Sequence, residues 1–237
     1  MSIEQAKQAV RDRVWRLLLD ADAVPGDSYG TIPDFCGTAT TAEHLAELDV
    51  WRRASTVKAN PDYAQRHVRA RALKDGKLLY MAVPRMADVH PFYLLDPVAL
   101  DTSIDEAAQK EGAARVASHV AVEDMRPIDL VVCGSVAVNH SGARIGKGAG
   151  YSDLEVALLI EAGLITDETA IVTPVHQLQV IDEEIPETAH DFRVDFIVTP
   201  VEVIRCPTLR RPAGILWGDL SEDQINSIPA LSKRCHP

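Results

Sequence analysis

The strongest constraint in this chain is a buried-type strand that runs through a glycine-rich bend into a helix. Asp129-Leu-Val-Val-Cys-Gly-Ser-Val-Ala-Val138 is apolar, β-branched and entered from Pro127, which predicts a strand covered on both faces. Asn139-His-Ser-Gly-Ala-Arg-Ile-Gly-Lys-Gly-Ala-Gly-Tyr-Ser-Asp153 follows, and Ser152 to Ala162 has helical spacing. Leu78–Val83, Ala170–Val175, Phe196–Thr199 and Val201–Cys206 read as further short strands. Strands that alternate with helices predict an α/β fold whose mainly parallel sheet is covered by helices on both faces.

Other helices are expected where apolar residues recur at three to four positions. Ile3, Ala6, Val10, Val14, Leu17 and Leu18 give a first helix, ended by Pro25-Gly26. A second is expected from an N-cap at Thr41 to Arg53, a third from Gln65 to Lys74 before Gly76, and a fourth from Thr102 to Val120. With 237 residues the expectation is one domain, 1–237, in which 207–237 forms a surface-wrapping tail without a core of its own. Apolar residues at 46% and charged residues at 25% exclude collagen-like and wholly disordered chains. No run approaches the roughly 18 apolar residues of a membrane span, and charges interrupt the first 24 residues, so the expected location is cytoplasmic. Cys36, Cys133, Cys206 and Cys235 lack metal-site or disulfide spacing and read as inert thiols.

The charge is uneven. Residues 1–77 carry 12 basic and 11 acidic side chains against 12 and 24 in the remainder, within a total of −11. Such a surface makes a nucleic-acid duplex an unlikely partner and leaves a small anion open. The glycine-rich bend has the composition of a phosphate cradle. Gly146, Gly148 and Gly150 permit close backbone approach, the next helix offers its N-terminus, and Arg144 and Lys147 add charge. It is neither a Walker A loop nor a GxGxxG turn, and an ordinary strand-to-helix turn with solvated cations fits equally well. Lys7 and Arg11, at i and i+4, share one helix face that an exposed helix would simply solvate. Asp153 suits either a helix N-terminus or a Mg²⁺ ligand, while Asp191 and Asp195 flank the start of the Phe196 strand. The eight histidines form no HExxH, Ser135 lacks a nucleophile elbow, and aromatics are too few for a base-stacking sheet.

Taken together, the Asp129–Val138 strand, Arg144-x-Gly-Lys-Gly-Ala-Gly-Tyr-Ser-Asp153, and Ile185-Pro-Glu-Thr-Ala-His-Asp-Phe-Arg-Val-Asp-Phe-Ile-Val-Thr199 resemble the 5-formyltetrahydrofolate cyclo-ligase family, in a divergent branch. The resemblance implies a three-layer α/β sandwich that binds ATP, Mg²⁺ and a reduced folate or another small metabolite. It assigns phosphate contacts to Lys7, Arg11 and Arg144 and the loop beneath to Gly146, Lys147, Gly148 and Gly150. Arg144 and Lys147 become the catalytic cations, Asp153 and Asp195 the Mg²⁺ ligands, and Tyr151 an aromatic near the substrate. Ser152 and Leu154 stand where the family usually has tyrosine and arginine, and only Asp62 or Gln65 can replace its N-terminal glutamate. The implied activity is ATP-dependent cyclisation of 5-formyltetrahydrofolate or a related formylated or carboxylated metabolite. The alternative is a non-catalytic nucleotide- or metabolite-binding homologue with a regulatory or partner-binding role.

Overall fold

The computed structural model describes residues 2–207 and 210–235, with Cys235 described in its backbone only. The expectations for the Cys235 thiol and for the tail's residues 208, 209, 236 and 237 fall outside the described residues. Helix α1 (Ile3–Asp20) starts with a reciprocal cap in which Ser2 Oγ accepts from Gln5 N and Gln5 Oε1 accepts from Ser2 N. Its apolar stripe, Val10, Val14, Trp15 and Leu18, is buried.

The second expected helix begins earlier and is split. Helix α2 (Thr38–Ala46) starts after Gly37, which has φ +95°, and the Thr41 hydroxyl donates to the Gly37 carbonyl within the first turn instead of capping. Leu48 is extended, so α3 (Asp49–Arg53) is a separate turn. Strand β1 (Thr56–Ala59) was hidden in the sequence by Lys58 at its centre; helix α4 (Arg66–Lys74) and strand β2 (Leu78–Ala82) follow as expected. Strand β3 (Phe92–Leu95) comes next. The single helix expected over 102–120 is instead α5 (Ile104–Ala107), α6 (Lys110–Val116) and the edge strand β4 (Ser118–Val120). Extended Gln109 breaks it, and Gly112 packs so closely on the Glu106 carbonyl that a Cβ would fall 1.8 Å from that oxygen.

The long strand that anchored the sequence reading is also divided. Strand β5 (Leu130–Val132) belongs to the main sheet, while β6 (Ala137–Asn139) leaves it to pair with β7 (Arg144–Ile145). Gly134 makes the departure possible, because a Cβ there would lie 2.9 Å from the Ile32 side chain. Helix α7 (Tyr151–Glu161), strand β8 (Ala170–Pro174), short strand β9 (Val180–Ile181), and the hairpin of β10 (Phe196–Val198) and β11 (Val203–Arg205) complete the sheets. Helices α8 (Glu222–Ser227) and α9 (Pro229–Cys235) end the chain.

Eight strands form the main sheet in the order β11-β10-β8-β5-β1-β2-β3-β4. The five from β10 to β2 are mutually parallel, and the outer three pair antiparallel. Alternate strand residues bury on opposite faces. Tyr80, Val131, Ile171 and Ile197 pack beneath α7, α8 and α9, whereas Val57, Leu79, Leu130 and Val172 pack beneath α2 to α6. This is the expected sandwich of helices on both faces of a mainly parallel sheet. A third core joins α1 to the β6-β7 hairpin. The segment after 207 does more than wrap the surface: Ile215, Ile225, Ile228, Ala230 and Leu231 are buried in the same core as α7.

Topology fixes where a ligand can bind. From β1 the chain adds β2 on one side, then returns to place β5 on the other, so the carboxyl ends of β1 and β5 diverge into a crevice. Asn60 and Cys133 open the two loops that line it, tied by Asn60 N donating to Val132 O.

If the C-terminal helices belong to the core, Leu231→Ala should destabilise the whole protein by about 3 kcal/mol, the usual cost of emptying a fully buried leucine site. Urea unfolding monitored by far-UV circular dichroism checks this. A single transition with a loss below about 0.5 kcal/mol would place the helix outside the cooperative unit.

Candidate functional site

Above the crevice lies a cavity of about 1060 Å³. Its walls come from α1, the loops after β1, β2 and β5, the glycine-rich bend, the start of α7, the 188–191 loop and the C-terminal segment. Side chains distant in sequence meet here for identifiable reasons.

Arg144, on β7, is almost completely buried. One Nη2 hydrogen bond of 2.6 Å reaches Asp153 Oδ1, Nη1 donates to Gly134 O at 3.4 Å, and the guanidinium lies 4.2 Å from the centre of the Phe192 ring. Burial alone would favour the neutral form, but Asp153 outweighs it and raises the affinity of Arg144 for its proton above the ordinary arginine value. Nε is buried and has no partner among the described residues.

Two cations of α1 reach the same place. Arg11 Nε donates to Gly146 O at 2.8 Å, and its Nη1 is held by Glu4 and Gln8. Gly148 lies directly beneath that guanidinium, and its φ of +105° is a backbone conformation that side-chain-bearing residues rarely adopt. Lys7 Nζ is bound by both oxygens of Asp191 at 2.8 and 2.7 Å. Burial pushes the Asp191 carboxyl up, but hydrogen bonds from Lys7 and from the Thr188 amide and hydroxyl prevail and hold it below the ordinary carboxylate range.

Lys147 reaches across the cavity to Asp62, Nζ to Oδ1 at 3.1 Å, and Asp62 thus faces the bend, whereas Gln65 is wholly buried away from it. Gly150, at φ +70°, precedes α7 as a cap without a side chain, so no side chain caps the first N–H groups of the helix, although Asp153 N donates back to Gly150 O at 3.2 Å. Tyr151 and Ser152 line the wall beside Asp153.

Of the residues singled out in the sequence, Lys7, Arg11, Arg144, Gly146, Lys147, Gly148, Gly150, Tyr151 and Asp153 all border this one cavity. Asp195 does not join them. It sits at the amino end of β10, the opposite end of the strand from the crevice, where Oδ2 accepts from Ile171 N and from Arg211 Nη2, both at 2.7 Å. The expected pairing of Asp153 with Asp195 around Mg²⁺ is therefore absent, and among the described residues no three His, Cys, Asp or Glu side chains converge as a metal site.

Sequence reasoning missed a second polar group in the cavity wall. Lys58 is fully buried on β1, and its ammonium donates to Asn60 Oδ1 at 2.7 Å and to Glu155 of α7. Asn60 in turn donates to Ser152 Oγ at 3.3 Å. A lysine inside Val57-Lys58-Ala59 and a glutamate inside Leu154-Glu155-Val156 were the available signals, since each interrupts an apolar run that has to be buried.

The chain is similar to several known proteins. Residues 3–200 match the 5-formyltetrahydrofolate cyclo-ligase family. The chain is 37% identical over 233 residues to the methenyltetrahydrofolate synthase domain-containing protein of Mus musculus, covering 95% of this chain and 62% of that protein. It thus spans about three-fifths of the length of that relative. A probable 5-formyltetrahydrofolate cyclo-ligase of Schizosaccharomyces pombe is 24% identical over 197 residues, covering 77% of this chain and 95% of the yeast protein. Among solved structures, Aquifex aeolicus 5,10-methenyltetrahydrofolate synthetase superposes with a TM-score of 0.55 at 19% identity, covering 86% of this chain and 94% of the other, which shows a shared fold.

The Lys7–Asp191 pair yields a pH test. The depressed carboxylate contributes stability that is complete above the unfolded value near 4 and is lost as pH falls through the lower folded value. Asp191→Asn should cost on the order of 3 kcal/mol at pH 7, because it strands a buried ammonium, and the gap to wild type should close below about pH 4. Urea unfolding at a series of pH values measures it; a gap independent of pH would show that the carboxylate charge contributes nothing.

Proposed function

The chain belongs to the 5-formyltetrahydrofolate cyclo-ligase family, and on that premise we propose that it is an ATP- and Mg²⁺-dependent ligase of the cytoplasm. It cyclises 5-formyltetrahydrofolate, or a related formylated or carboxylated metabolite, through a phosphorylated intermediate. One observation carries the reading: in a chain with net charge −11, four cations from three separate parts of the chain converge on a glycine bend at a helix N-terminus.

Phosphoryl transfer is limited by alignment and by charge neutralisation, and it needs no covalent nucleophile from the protein. The residues present fit a nucleotide triphosphate. Arg144, with its buried and unpartnered Nε, and Lys7, Arg11 and Lys147 would hold phosphate oxygens over Gly146, Gly148 and Gly150. Mg²⁺ keeps several waters and takes one or two carboxylates together with phosphates, so Asp153 suffices as its protein ligand, leaving Asp195 in its pair with Arg211. Bound there, the metal would neutralise developing charge on the transferred group. Transfer of the γ-phosphoryl group of ATP to the formyl oxygen, with ADP leaving, would turn that oxygen into a leaving group. The second nitrogen then attacks the formyl carbon and gives up its proton, and phosphate departs with the former formyl oxygen. Asp62, facing Lys147 across the cavity, would stand in for the family's N-terminal glutamate.

Purified protein with 5-formyltetrahydrofolate, ATP and Mg²⁺ should generate the absorbance of the methenyl product. No product alongside intact ATP binding would favour the non-catalytic homologue, in which Ser152 and Leu154 have altered the second subsite. Lys147 is partly exposed, so Lys147→Ala should preserve the fold and weaken ATP binding by about 1.5 kcal/mol, or roughly tenfold, by titration calorimetry. Asp153→Asn should raise the Mg²⁺ concentration needed for half-maximal turnover, and a titration identical to wild type would remove Asp153 from the metal's coordination.

A further inference from the structure

Part of the cavity wall comes from beyond the residues that match the family. Ile215, Leu216 and Leu220 line the cavity, although the match ends at residue 200. Leu154 and Ala157 of α7 line it as well, and Ala157, Ile215, Leu154 and Leu220 all belong to, or pack on, one apolar core.

This segment is fixed in place. Ile215 N and Trp217 Nε1 both donate to Glu161 Oε2 at 3.2 Å, at the end of α7. Gly214, with φ +142°, runs so close that a Cβ would be 3.3 Å from the same oxygen. His190 Nε2 lies 3.2 Å from Asp219 Oδ2, and Ile225, Ile228 and Leu231 are buried behind the wall.

Its chemistry is opposite to that of the phosphate side. Residues 213–224 contain no lysine or arginine, and of their three carboxylates Asp219 lines the cavity, so a phosphate would meet apolar surface and like charge there. The cavity, at about 1060 Å³, lies at the top of the roughly 300–1,000 Å³ range for single small-molecule sites, leaving room beside a nucleotide.

We infer that residues 215–220 form, with Leu154 and Ala157, an apolar wall that receives the uncharged aromatic or heteroaromatic ring of the second ligand and sets its specificity. The site rests on the proposed two-substrate reading only for the identity of that ligand. Leu216 and Leu220 are the specificity-determining residues.

The test compares wild type with Leu220→Trp, which fills the space, and with the double variant Leu216→Ala/Leu220→Ala, which empties it. Calorimetric titrations use ATP with Mg²⁺ and 5-formyltetrahydrofolate, and fluorescence titrations use N-phenyl-1-naphthylamine, an uncharged aromatic probe that assumes nothing about folate. The expected result is at least tenfold weaker binding of folate and probe in either folded variant, with ATP affinity within twofold of wild type. Should wild type bind the probe but no folate, with the same tenfold loss of probe in the variants, the wall stands and the folate assignment falls. Unchanged binding of the probe in both variants, no probe binding to wild type, or loss of ATP affinity alone would overturn the inference. Far-UV circular dichroism establishes folding for each variant, and the double variant, which adds no bulk, serves if the tryptophan is not tolerated.

Discussion

The buried guanidinium of Arg144 is the interaction on which the arrangement of the site depends. It connects the end of β5, through Gly134 O, with the first turn of α7, through Asp153, and with the 188–195 segment, through the face of Phe192. Taking a guanidinium out of water costs several kcal/mol unless charge and hydrogen bonds offset it, and here Asp153 supplies most of the compensation. The glycine bend has few side chains of its own to pack, and this ion pair joins the Arg11 bond to Gly146 O and the Lys147 bond to Asp62 in fixing its position. The bend gains close approach for a ligand and relies on its neighbours for order.

Net charge and local field point in opposite directions. The protein as a whole is acidic, but the cavity collects Lys7 and Arg11 from α1, Arg144 from β7 and Lys147 from the bend. Each is oriented by an acceptor: Asp191, Glu4, Asp153 and Asp62 respectively. Low-dielectric walls concentrate the effect of these charges, whereas surface carboxylates beyond about 8–10 Å are screened by salt. A ligand with several negative charges can therefore be held by a protein that would repel a polyanion from most of its surface.

The sequence made the central features legible for physical reasons. Both-face burial shows as a continuous apolar run, β-branched in β5, β8 and β10, which is why these strands and β2 could be read along with the class of sheet. Glycines at Gly146, Gly148 and Gly150 mark a close backbone approach that leaves a local signature. What failed were features set by tertiary contact. Lys58 masked β1 because its burial depends on Glu155, 97 residues away. Gly134 turned one expected strand into two because of Ile32, and Gln109 with Gly112 divided an expected helix. Asp195 matched a motif position, but its surroundings at the amino end of β10 gave it Arg211 as a partner, which no spacing rule could reveal. The segment after 207 looks in sequence like a surface wrapping because its apolar residues are few, and only the packed core of α7 shows where they go.

Two adjacent residues join the halves of the cavity. His190 contacts Asp219 of the C-terminal segment, while Asp191 holds Lys7 on the phosphate side. The two contacts differ in strength, since the first is largely exposed and worth little, whereas the second is buried and hydrogen-bonded through both oxygens. The loop is thus anchored firmly to α1 and lightly to the apolar wall. An anion drawing Lys7 away from Asp191 would have to work against the buried pair, and the weaker His190 contact is the first that such a movement would break. The geometry therefore ties the 188–191 loop chiefly to α1 on the cation side, while the wall built from the end of the chain is held independently through Glu161.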